Sequence, residues 1–329
     1  MKVNYNKEFL NKKVFIAGHK GMVGIATYNQ ALFLGFKKKN ILIASKKKIN
    51  LTNYNKVNYF IKKHKPDIVI NCAGKVGGIL ANDNYPREFL FENIKIQLNL
   101  IESCRENKIK YFVNLGSSCI YPKNISRPIK EDDLLSGKLE STNEAYALAK
   151  IVGLKSCQFY NKQFKTFYFT IMPCNLYGPN DNFNSESSHF LPALINKFYT
   201  ADKKKYKTVE LWGTGNPKRE LLYVSDLADA IFFILNNVMC KNKKILIFLK
   251  KRSFINVGSN KDYTIKFYAK KISSFLNKNF NIKFNKKYPD GTKRKLLDSS
   301  FLYNLGWKPK TNLDKGIALT INWYKNLKN

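Results

Sequence analysis

The sequence predicts an α/β protein in which a doubly wound parallel sheet is followed by a smaller C-terminal α/β domain. Three observations lead to this fold class. Short apolar runs alternate with helix-like stretches through the first half of the chain, a glycine-rich turn follows the first run, and the alternation becomes irregular near residue 178. Alternating strands and helices are typical of a parallel sheet with helices packed on both faces.

The predicted strands are short apolar runs, which is the pattern of strands buried in the middle of a sheet. They cover residues 13–17, 41–45, 67–72, 111–115 and 166–172. Helical periodicity is present in residues 22–34, 54–65, 89–107 and 146–164. This order of elements predicts a first domain of residues 1–178.

The second half of the chain has fewer regular segments. Helical patterns cover residues 190–199, 224–239 and 264–276, and a last helix ends the chain. We predict that residues 224–258 return to the first domain, and that residues 179–223 and 259–329 form the substrate-binding domain. The lysine-rich segment 241–252 is interpreted as a surface loop. The functional site is expected in the cleft between the domains.

A glycine-rich turn follows the first predicted strand and begins the first long helix. It reads Gly18-His19-Lys20-Gly21-Met22-Val23-Gly24. Glycines at this spacing allow a tight turn and let the backbone approach a pyrophosphate at a helix N-terminus. An ordinary glycine-rich turn is the alternative, and the strand before it and the helix after it favour a dinucleotide site.

A serine and a YxxxK pair are the catalytic candidates. Ser117 follows the apolar run 111–115, so it is expected at the carboxyl end of a strand, where open α/β sheets bind ligands. Tyr146 and Lys150 are four residues apart on a predicted helix, which places both side chains on one face. A lysine near a phenol favours the phenolate and lowers its pKa, so we expect a tyrosine that transfers a proton near neutral pH.

The formal net charge of +35 suggests a nucleic-acid partner at first sight. However, only six of the 58 basic residues are arginines, and the lysines are spread along the whole chain. Phosphate-binding surfaces favour arginine because its planar fork makes bidentate contacts. We therefore predict no nucleic-acid partner and interpret the lysines as solvated surface residues that also attract anionic ligands.

Hydrophobic residues make up 44% of the chain, but no apolar run is long enough to span a bilayer. The first residues lack the apolar core of a signal peptide. The six cysteines show no CxxC spacing, which indicates reduced thiols, and the three histidines form no His/Cys cluster that predicts a metal site. We expect a cytoplasmic protein without a membrane partner.

Several motifs together resemble the extended short-chain dehydrogenase/reductases and, within them, the GDP-L-fucose synthase family. The similarity extends from about residue 13 to the last helix. Its most specific parts are NLGSSCIYP at 114–122, NEAYALAK at 143–150 and PDGTKRKLLD at 289–298. Shorter matching segments are KVGGI at 75–79, NLYGP at 175–179 and WGTG at 212–215.

The resemblance implies a Rossmann domain that binds NADP(H) and a GDP-linked 4-keto-sugar substrate. Ser117 is implied to bind the carbonyl, Tyr146 to donate the proton and Lys150 to assist it. Cys119 and His189 are implied to be the base and acid that invert C3 and C5, although spacing alone favours a buried thiol and a loop histidine. The implied cofactor contacts are Gly18, His19, Lys20, Gly21, Met22, Val23, Gly24, Lys46, Leu115, Gly116, Ser118, Lys150, Pro173, Asn175, Leu176 and His189.

The candidate substrate contacts are Lys197, Trp212, Arg219 and Asp290. Arginine is rare in this chain, so Arg219 suggests a bidentate contact with a diphosphate, whereas an ordinary surface arginine is the alternative. Trp212 is interpreted as a nucleotide contact or as a core residue. The family match alone implies Lys197 for the diphosphate and Asp290 for the guanosine.

The expected activity is that of an NADPH-dependent 3,5-epimerase/4-reductase that converts GDP-4-keto-6-deoxy-mannose to GDP-L-fucose. We expect a homodimer formed through helices 89–107 and 146–164. One alternative is a GDP-4-keto-heptose or 6-deoxy-heptose C4-reductase that acts after a separate epimerase in surface-polysaccharide synthesis. Another is a cofactor-binding regulator or RNA-binding protein. Departures from the family pattern leave the sugar open: Ala145, Cys174, Asn196 and the segment Asn71-Cys72-Ala73-Gly74.

Overall fold

A computed structural model describes residues 5–184, 187–276, 278–288 and 290–328. Of the PDGTKRKLLD motif, Pro289 therefore lies outside the described residues. The helices are α1 (Lys7–Leu10), α2 (Met22–Leu34), α3 (Tyr54–His64), α4 (Ile79–Asn84), α5 (Pro86–Glu106), α6 (Glu144–Phe164), α7 (Phe190–Lys203), α8 (Val224–Met239), α9 (Lys243–Arg252), α10 (Ile265–Phe275), α11 (Ser300–Asn304) and α12 (Leu313–Lys328).

The strands alternate with these helices in the first half of the chain and are shorter in the second. They are β1 (Val14–Ala17), β2 (Ile41–Leu42), β3 (Ile68–Asn71), β4 (Tyr111–Leu115), β5 (Phe167–Pro173), β6 (Asn175–Tyr177), β7 (Thr208–Trp212), β8 (Lys218–Tyr223), β9 (Phe254–Val257), β10 (Asp262–Thr264), β11 (Asn281–Asn285) and β12 (Arg294–Lys295).

The main sheet has six parallel strands in the order β2-β1-β3-β4-β5-β9. This confirms the doubly wound parallel sheet predicted from the sequence. The chain runs outward in both directions from β1, so the crevice between the carboxyl ends of β1 and β3 is the expected ligand-binding edge. The glycine-rich turn follows β1 and therefore lies at this edge.

Successive residues of each strand face opposite sides of the sheet, and each side is covered by its own helices. Ile16, Ile70 and Val113 pack into the core cluster that includes residues of α8. Phe15 and Val69 belong to a separate cluster that includes residues of α3 and α5. Because both faces are buried, the strands are apolar throughout, which is why their positions could be predicted.

The second domain is built on a separate apolar cluster from α7, α10 and α12. Strand β8 is central to it: β8 pairs with β6, β10 and β12, while β7 pairs with β11. These strands were not predicted from the sequence because they are short and, apart from β8, only partly buried. In β7, buried and exposed residues alternate along TVELW, so the period-two signal of a strand was present.

The prediction of a surface loop at residues 241–252 is wrong, because Lys243–Arg252 forms α9. Ile245 and Leu249 are one turn apart and buried, which gives the helix an apolar face. The Asn242 side chain caps its first turn by accepting a hydrogen bond from the Lys244 N–H at 3.1 Å. Basic residues fill the last turn, where the helix dipole favours cations.

Within the residues that the structure describes, no helix is long and apolar enough to cross a membrane. The same residues contain no group of three His, Cys, Asp or Glu side chains placed to hold a metal ion.

Candidate active site

The glycine-rich turn forms a cradle that excludes side chains. Gly18 has φ +81°, and a Cβ there would lie 2.6 Å from the backbone nitrogen of Ala73. A Cβ on Gly24 would lie 2.1 Å from the Gly18 carbonyl oxygen. Gly21 precedes the first residue of α2, whose first-turn N–H groups lack intrahelical acceptors. These residues fit the pyrophosphate of a dinucleotide, which needs backbone N–H groups at close approach.

The remaining predicted residues of this turn lie around its rim. His19 is half-buried, and burial together with Lys20 lowers its pKa. Lys20 and Lys46 are exposed. Lys46 lines a cavity of about 280 Å³ together with Arg87, which was not predicted from the sequence as a site residue. The lining contains three cations (Lys46, Arg87 and Lys95) and two carboxylates (Glu88 and Glu92), so the cations that a 2′-phosphate requires outnumber the carboxylates by only one.

Other predicted cofactor contacts lie at the carboxyl ends of neighbouring strands. Gly116 follows β4, and a Cβ there would lie 2.2 Å from the Met172 sulfur. Asn175 is held by a 3.0 Å hydrogen bond from its side-chain amide to the Glu220 carbonyl. Leu115 and Ser118 flank Gly116 and Ser117 at the end of β4. Pro173 ends the neighbouring strand β5, and Asn175 and Leu176 follow on β6. These predicted cofactor contacts therefore come from the carboxyl ends of neighbouring strands.

Four of the predicted catalytic residues meet where β4 ends against α6. The Cys119 thiol donates a hydrogen bond to the Ser117 hydroxyl at 3.0 Å. The Lys150 ammonium lies 5.5 Å from the centre of the Tyr146 ring and donates to the Leu115 carbonyl at 2.8 Å. The Cys119 thiol is also close enough to Tyr146 and Lys150 to affect the pKa of each. The site therefore combines a hydroxyl, a thiol, a phenol and an ammonium.

The expected lowering of the Tyr146 pKa by Lys150 is not present in the structure. Burial raises the pKa of Tyr146 well above its ordinary range, and Cys119 adds to the increase. Burial also lowers the pKa of Lys150 to about 8. Desolvation outweighs the attraction between the two groups because both lie in a low-dielectric environment. The phenol consequently stays protonated, which is the form that donates a proton.

Replacing Lys150 with methionine should stabilise the protein while impairing its chemistry. A lysine whose pKa falls from 10.5 to about 8 costs the folded state about 3 kcal/mol while it is charged. After loss of the Leu115 hydrogen bond, the free energy of unfolding at pH 7 should still rise by about 1–2 kcal/mol. The unfolded lysine binds more protons than the folded one between pH 8 and 10.5, so wild-type stability rises through that range and the difference shrinks.

Urea denaturation of both proteins at pH 7 and pH 9.5, without ligands, measures this difference. A variant that is less stable than the wild type at pH 7 contradicts the assigned cost of the buried ammonium.

A pair of cations on adjacent strands includes Lys295, which lies near the Cys119 thiol. Lys295 on β12 is directly paired with Arg219 on β8. Desolvation lowers the pKa of Lys295, and the nearby Cys119 opposes this shift. Glu140 is close enough to affect the pKa of both cations. Cys119 therefore connects the Tyr146–Lys150 pair with a cationic strand pair suited to an anionic substrate.

Successive side chains of β8 point to opposite faces of the sheet. Arg219 donates from Nη1 to the Thr292 carbonyl at 2.6 Å, and its Nη2 faces Gly291. Glu220 is fully buried and accepts backbone N–H bonds from Leu297 and Asn260, both at 2.8 Å. Burial raises the pKa of Glu220 to about 7. The carboxylate thus anchors the strand, and the guanidinium faces the site.

The other predicted substrate residues form a separate aromatic cluster. Trp212 stacks on Tyr288 with ring centres 4.4 Å apart, and the Lys197 ammonium lies 5.2 Å from the Trp212 ring. Trp212 is half exposed, which favours a ligand platform over a core position. Asp290 accepts hydrogen bonds from the backbone N–H and hydroxyl of Thr214 at 2.9 and 2.6 Å. Asp290 therefore braces the turn beside Trp212.

His189 is not joined to the Cys119 cluster by any hydrogen bond or ion pair of the described residues. It precedes α7, and the adjacent Ser188 carbonyl lies against Gly78, where a Cβ would come within 2.4 Å. The residue is exposed, yet the protein packed around the ring excludes enough solvent to lower the pKa of His189. The neutral imidazole is favoured, so donating a proton requires that bound negative charge raise this pKa.

Lys295, Tyr288 and Glu140 were not predicted from the sequence as site residues. The signal for Lys295 was present, because it lies within the PDGTKRKLLD motif. A single lysine among so many carries little weight, and the two-residue strand that orients it has no periodicity. Tyr288 and Glu140 carried no signal.

Comparisons with known proteins agree with this geometry. The model of the NAD dependent epimerase/dehydratase family matches residues 14–247. The chain is 43% identical to GDP-L-fucose synthase 1 of Arabidopsis thaliana, covering 96% of this chain and 94% of the relative. It is 41% identical to GDP-L-colitose synthase of Yersinia pseudotuberculosis, covering 96% and 99%. A GDP-mannoheptose C4 reductase from Campylobacter jejuni, solved with NADP bound, is 34% identical with a TM-score of 0.85 and coverage of 96% and 99%.

Proposed function

This chain belongs to the NAD dependent epimerase/dehydratase family and, within it, to the GDP-L-fucose synthase family, and we propose that it converts GDP-4-keto-6-deoxy-mannose to GDP-L-fucose with NADPH. The observation that carries this proposal is the position of Cys119. The thiol contacts Ser117 and lies near Tyr146, Lys150 and Lys295. A plain reductase needs the hydroxyl, phenol and ammonium but has no use for the thiol.

In the reduction step the chain binds the ketone and delivers a proton. NADPH supplies the hydride for C4 of the sugar. The Ser117 hydroxyl donates a hydrogen bond to the C4 carbonyl, and Tyr146 transfers its phenolic proton to the oxygen as the alkoxide forms. Lys150 is positioned to stabilise the resulting phenolate. Since burial keeps the phenol protonated, the proton is in place before the hydride arrives.

In the epimerisation steps the ketone acidifies the hydrogens at C3 and C5. The Cys119 thiolate removes a proton, and His189 returns one from the opposite face through an enolate. Lys295 and Lys150 both lie close to the thiol and place positive charge near it. The Ser117 hydrogen bond stabilises the enolate oxygen in the same way as the alkoxide.

Turnover in D₂O tests the proposal. The purified protein should oxidise NADPH in the presence of GDP-4-keto-6-deoxy-mannose, and mass spectrometry should find two deuterium atoms in the product, at C3 and C5. An absence of NADPH oxidation with this substrate contradicts the proposed function.

A GDP-heptose C4-reductase is the second candidate, and the similarity to the C. jejuni reductase favours it. A reductase that follows a separate epimerase needs no proton exchange at C3 or C5. The same D₂O experiment with a 4-keto GDP-heptose separates the two activities. NADPH oxidation on the heptose without deuterium incorporation, together with no turnover of the deoxyhexose, selects this candidate.

Arg219 is proposed to bind the diphosphate of the substrate. Arg219→Ala should raise KM for the GDP-sugar by about 10- to 100-fold, because it removes a charge-assisted hydrogen bond to the diphosphate, while kcat changes little. Arg294→Ala is a matched control, because Arg294 lies on β12 but binds Asp262 at 2.6 Å. Steady-state kinetics of both variants measure the effect. A fall in kcat at unchanged KM contradicts a role in ground-state binding.

A homodimer is proposed to form through α5 and α6, which pack against each other. Leu148 and Phe159 lie on one stripe of α6 and are exposed by 41% and 63%. Phe159→Glu should convert a dimer to a monomer in light scattering, and a wild-type monomer contradicts the proposal.

All six cysteines are free thiols, which supports a location in the reducing cytoplasm.

A further inference from the structure

Three buried amide side chains connect the cofactor turn with the helix that carries Tyr146 and Lys150. The Asn71 oxygen accepts from the Ala73 N–H at 3.1 Å, and its amide nitrogen donates to Asn114 at 3.0 Å. Asn114 donates to the Gln97 oxygen at 2.9 Å. Gln97 then donates to the Ala149 carbonyl at 3.0 Å. We call this chain the amide relay.

Both ends of the amide relay lie at the proposed active site. Ala73 backs the glycine turn, since its nitrogen would be 2.6 Å from a Cβ on Gly18. Ala149 directly precedes Lys150 on α6. The relay therefore runs from the backbone that supports the cofactor turn, through β3, β4 and α5, to the residue beside the catalytic ammonium.

The amide relay has one direction and is isolated from water. Each amide accepts through its oxygen and donates through its nitrogen, so the dipoles add along the chain and strengthen one another. Asn71 and Asn114 are completely buried, and Gln97 is 1% exposed. A buried amide that loses its hydrogen-bond partner bears the full desolvation penalty. A shift of Ala73 or of Ala149 that breaks a relay hydrogen bond is therefore unfavourable.

Gly153 of α6 makes room for the amide relay. A Cβ on Gly153 would lie 2.1 Å from the Gln97 oxygen and 2.8 Å from the Asn114 nitrogen. Helix α6 thus approaches the relay closely only because this position lacks a side chain.

We propose that Gln97 is a positioning residue, whose carboxamide holds the Tyr146–Lys150 segment of α6 in register with the loop 73–75 and the cofactor turn. Gln97 lies on α5 and makes the only relay contact with α6 among the described residues, and it also donates to the Asn93 carbonyl at 3.0 Å. This inference rests on the proposed function for its kinetic part. Its structural part concerns cofactor binding and stands independently.

Replacement of Gln97 by leucine tests the proposal, because leucine keeps the approximate volume and removes all three hydrogen bonds. We expect kcat for reduction to fall about 10- to 100-fold, as a small misplacement of a catalytic group does. KM for the GDP-sugar should stay within about twofold, since its proposed contacts lie in the second domain. The dissociation constant of NADPH, measured by fluorescence, should rise several-fold.

Gln158→Leu is the matched control. Gln158 also lies on α6 and also donates to a backbone carbonyl, that of Arg252 at 2.6 Å, but more than a turn beyond the relay. It should lower the melting temperature without changing kcat or NADPH binding. Equal effects of the two substitutions on kcat show that Gln97 has only a general structural role, and an unchanged kcat in Gln97→Leu also overturns the proposal.

Gln97→Glu gives a second measurement if the leucine variant does not fold. A protonated carboxyl group can accept from Asn114 and donate to Ala149, whereas a carboxylate cannot donate. Activity should therefore approach the wild-type value at low pH and fall as pH rises, through an ionisation that the wild type lacks. A pH profile identical to that of the wild type contradicts the proposal.

Failure of this inference is distinguishable from failure of the proposed function. If the wild type does not turn over the keto-sugar, the function is wrong, and NADPH binding to Gln97→Leu and Gln158→Leu still tests the amide relay. If the wild type is active but the two variants bind NADPH equally, the relay proposal is wrong and the function stands.

Discussion

Tyr146→Phe should reduce the rate of ketone reduction by about 10²–10⁴-fold, the usual contribution of a general acid. The substitution removes only the phenolic hydroxyl. NADPH binding should persist, because the glycine cradle and the Lys150 ammonium are unchanged. Single-turnover oxidation of NADPH with the keto-sugar measures the rate, and fluorescence titration measures binding.

The control for Tyr146 is Tyr121→Phe. Tyr121 is 1% exposed, and its hydroxyl donates a hydrogen bond to the Asn256 side-chain oxygen on β9 at 2.5 Å. It should lower the stability by about 1 kcal/mol and leave the rate intact. A Tyr146→Phe enzyme that reduces the ketone within tenfold of the wild-type rate removes the phenol from the mechanism.

Cys119→Ser should produce the complementary defect. A serine hydroxyl is a far weaker base than a thiolate, so deuterium incorporation at C3 and C5 should fall by about 10²-fold or more. Reduction of a ketone that has already been epimerised should be nearly unaffected. Tyr146→Phe, in contrast, should still exchange these protons without completing the reduction. Both assignments fail if the two variants show the same defect.

Cys174→Ser is the control for Cys119→Ser. Cys119 and Cys174 are both 6% exposed, but Cys174 makes no hydrogen bond to Ser117, Tyr146 or Lys150. Cys174→Ser should retain exchange and reduction. Loss of exchange in this control as well would show that a buried hydroxyl, and not the absent thiolate, causes the defect.

The first domain could be predicted from the sequence because its signals are local and redundant. The end of β1, the glycine turn and the bounds of α2 follow from one apolar run, three glycines and a periodic stretch. The second domain depends on strands of two to six residues that pair with distant segments. Their formation is decided by tertiary contacts, which local periodicity does not record.

The sequence indicated which of the candidate residues lie close together better than it indicated their pKa shifts. The YxxxK spacing correctly places Tyr146 and Lys150 on one helix face. Spacing carries no information on burial, however, and burial determines the direction of both pKa shifts. Lys295 was missed for a related reason, because its proximity to Cys119 depends on the pairing of β12 with β8.

Because neighbouring side chains of β8 point to opposite sides, the pairing register of β8 determines the charge of the surface on which Arg219 is proposed to bind the diphosphate. A shift of β8 by one residue would replace Arg219 with Glu220 at that surface and place a carboxylate where the diphosphate is proposed to bind. The two backbone donors that grip Glu220 oppose that slippage. A side chain that never meets the substrate thus protects the polarity of the pocket, and errors in folding here would yield a repulsive site on an otherwise native scaffold.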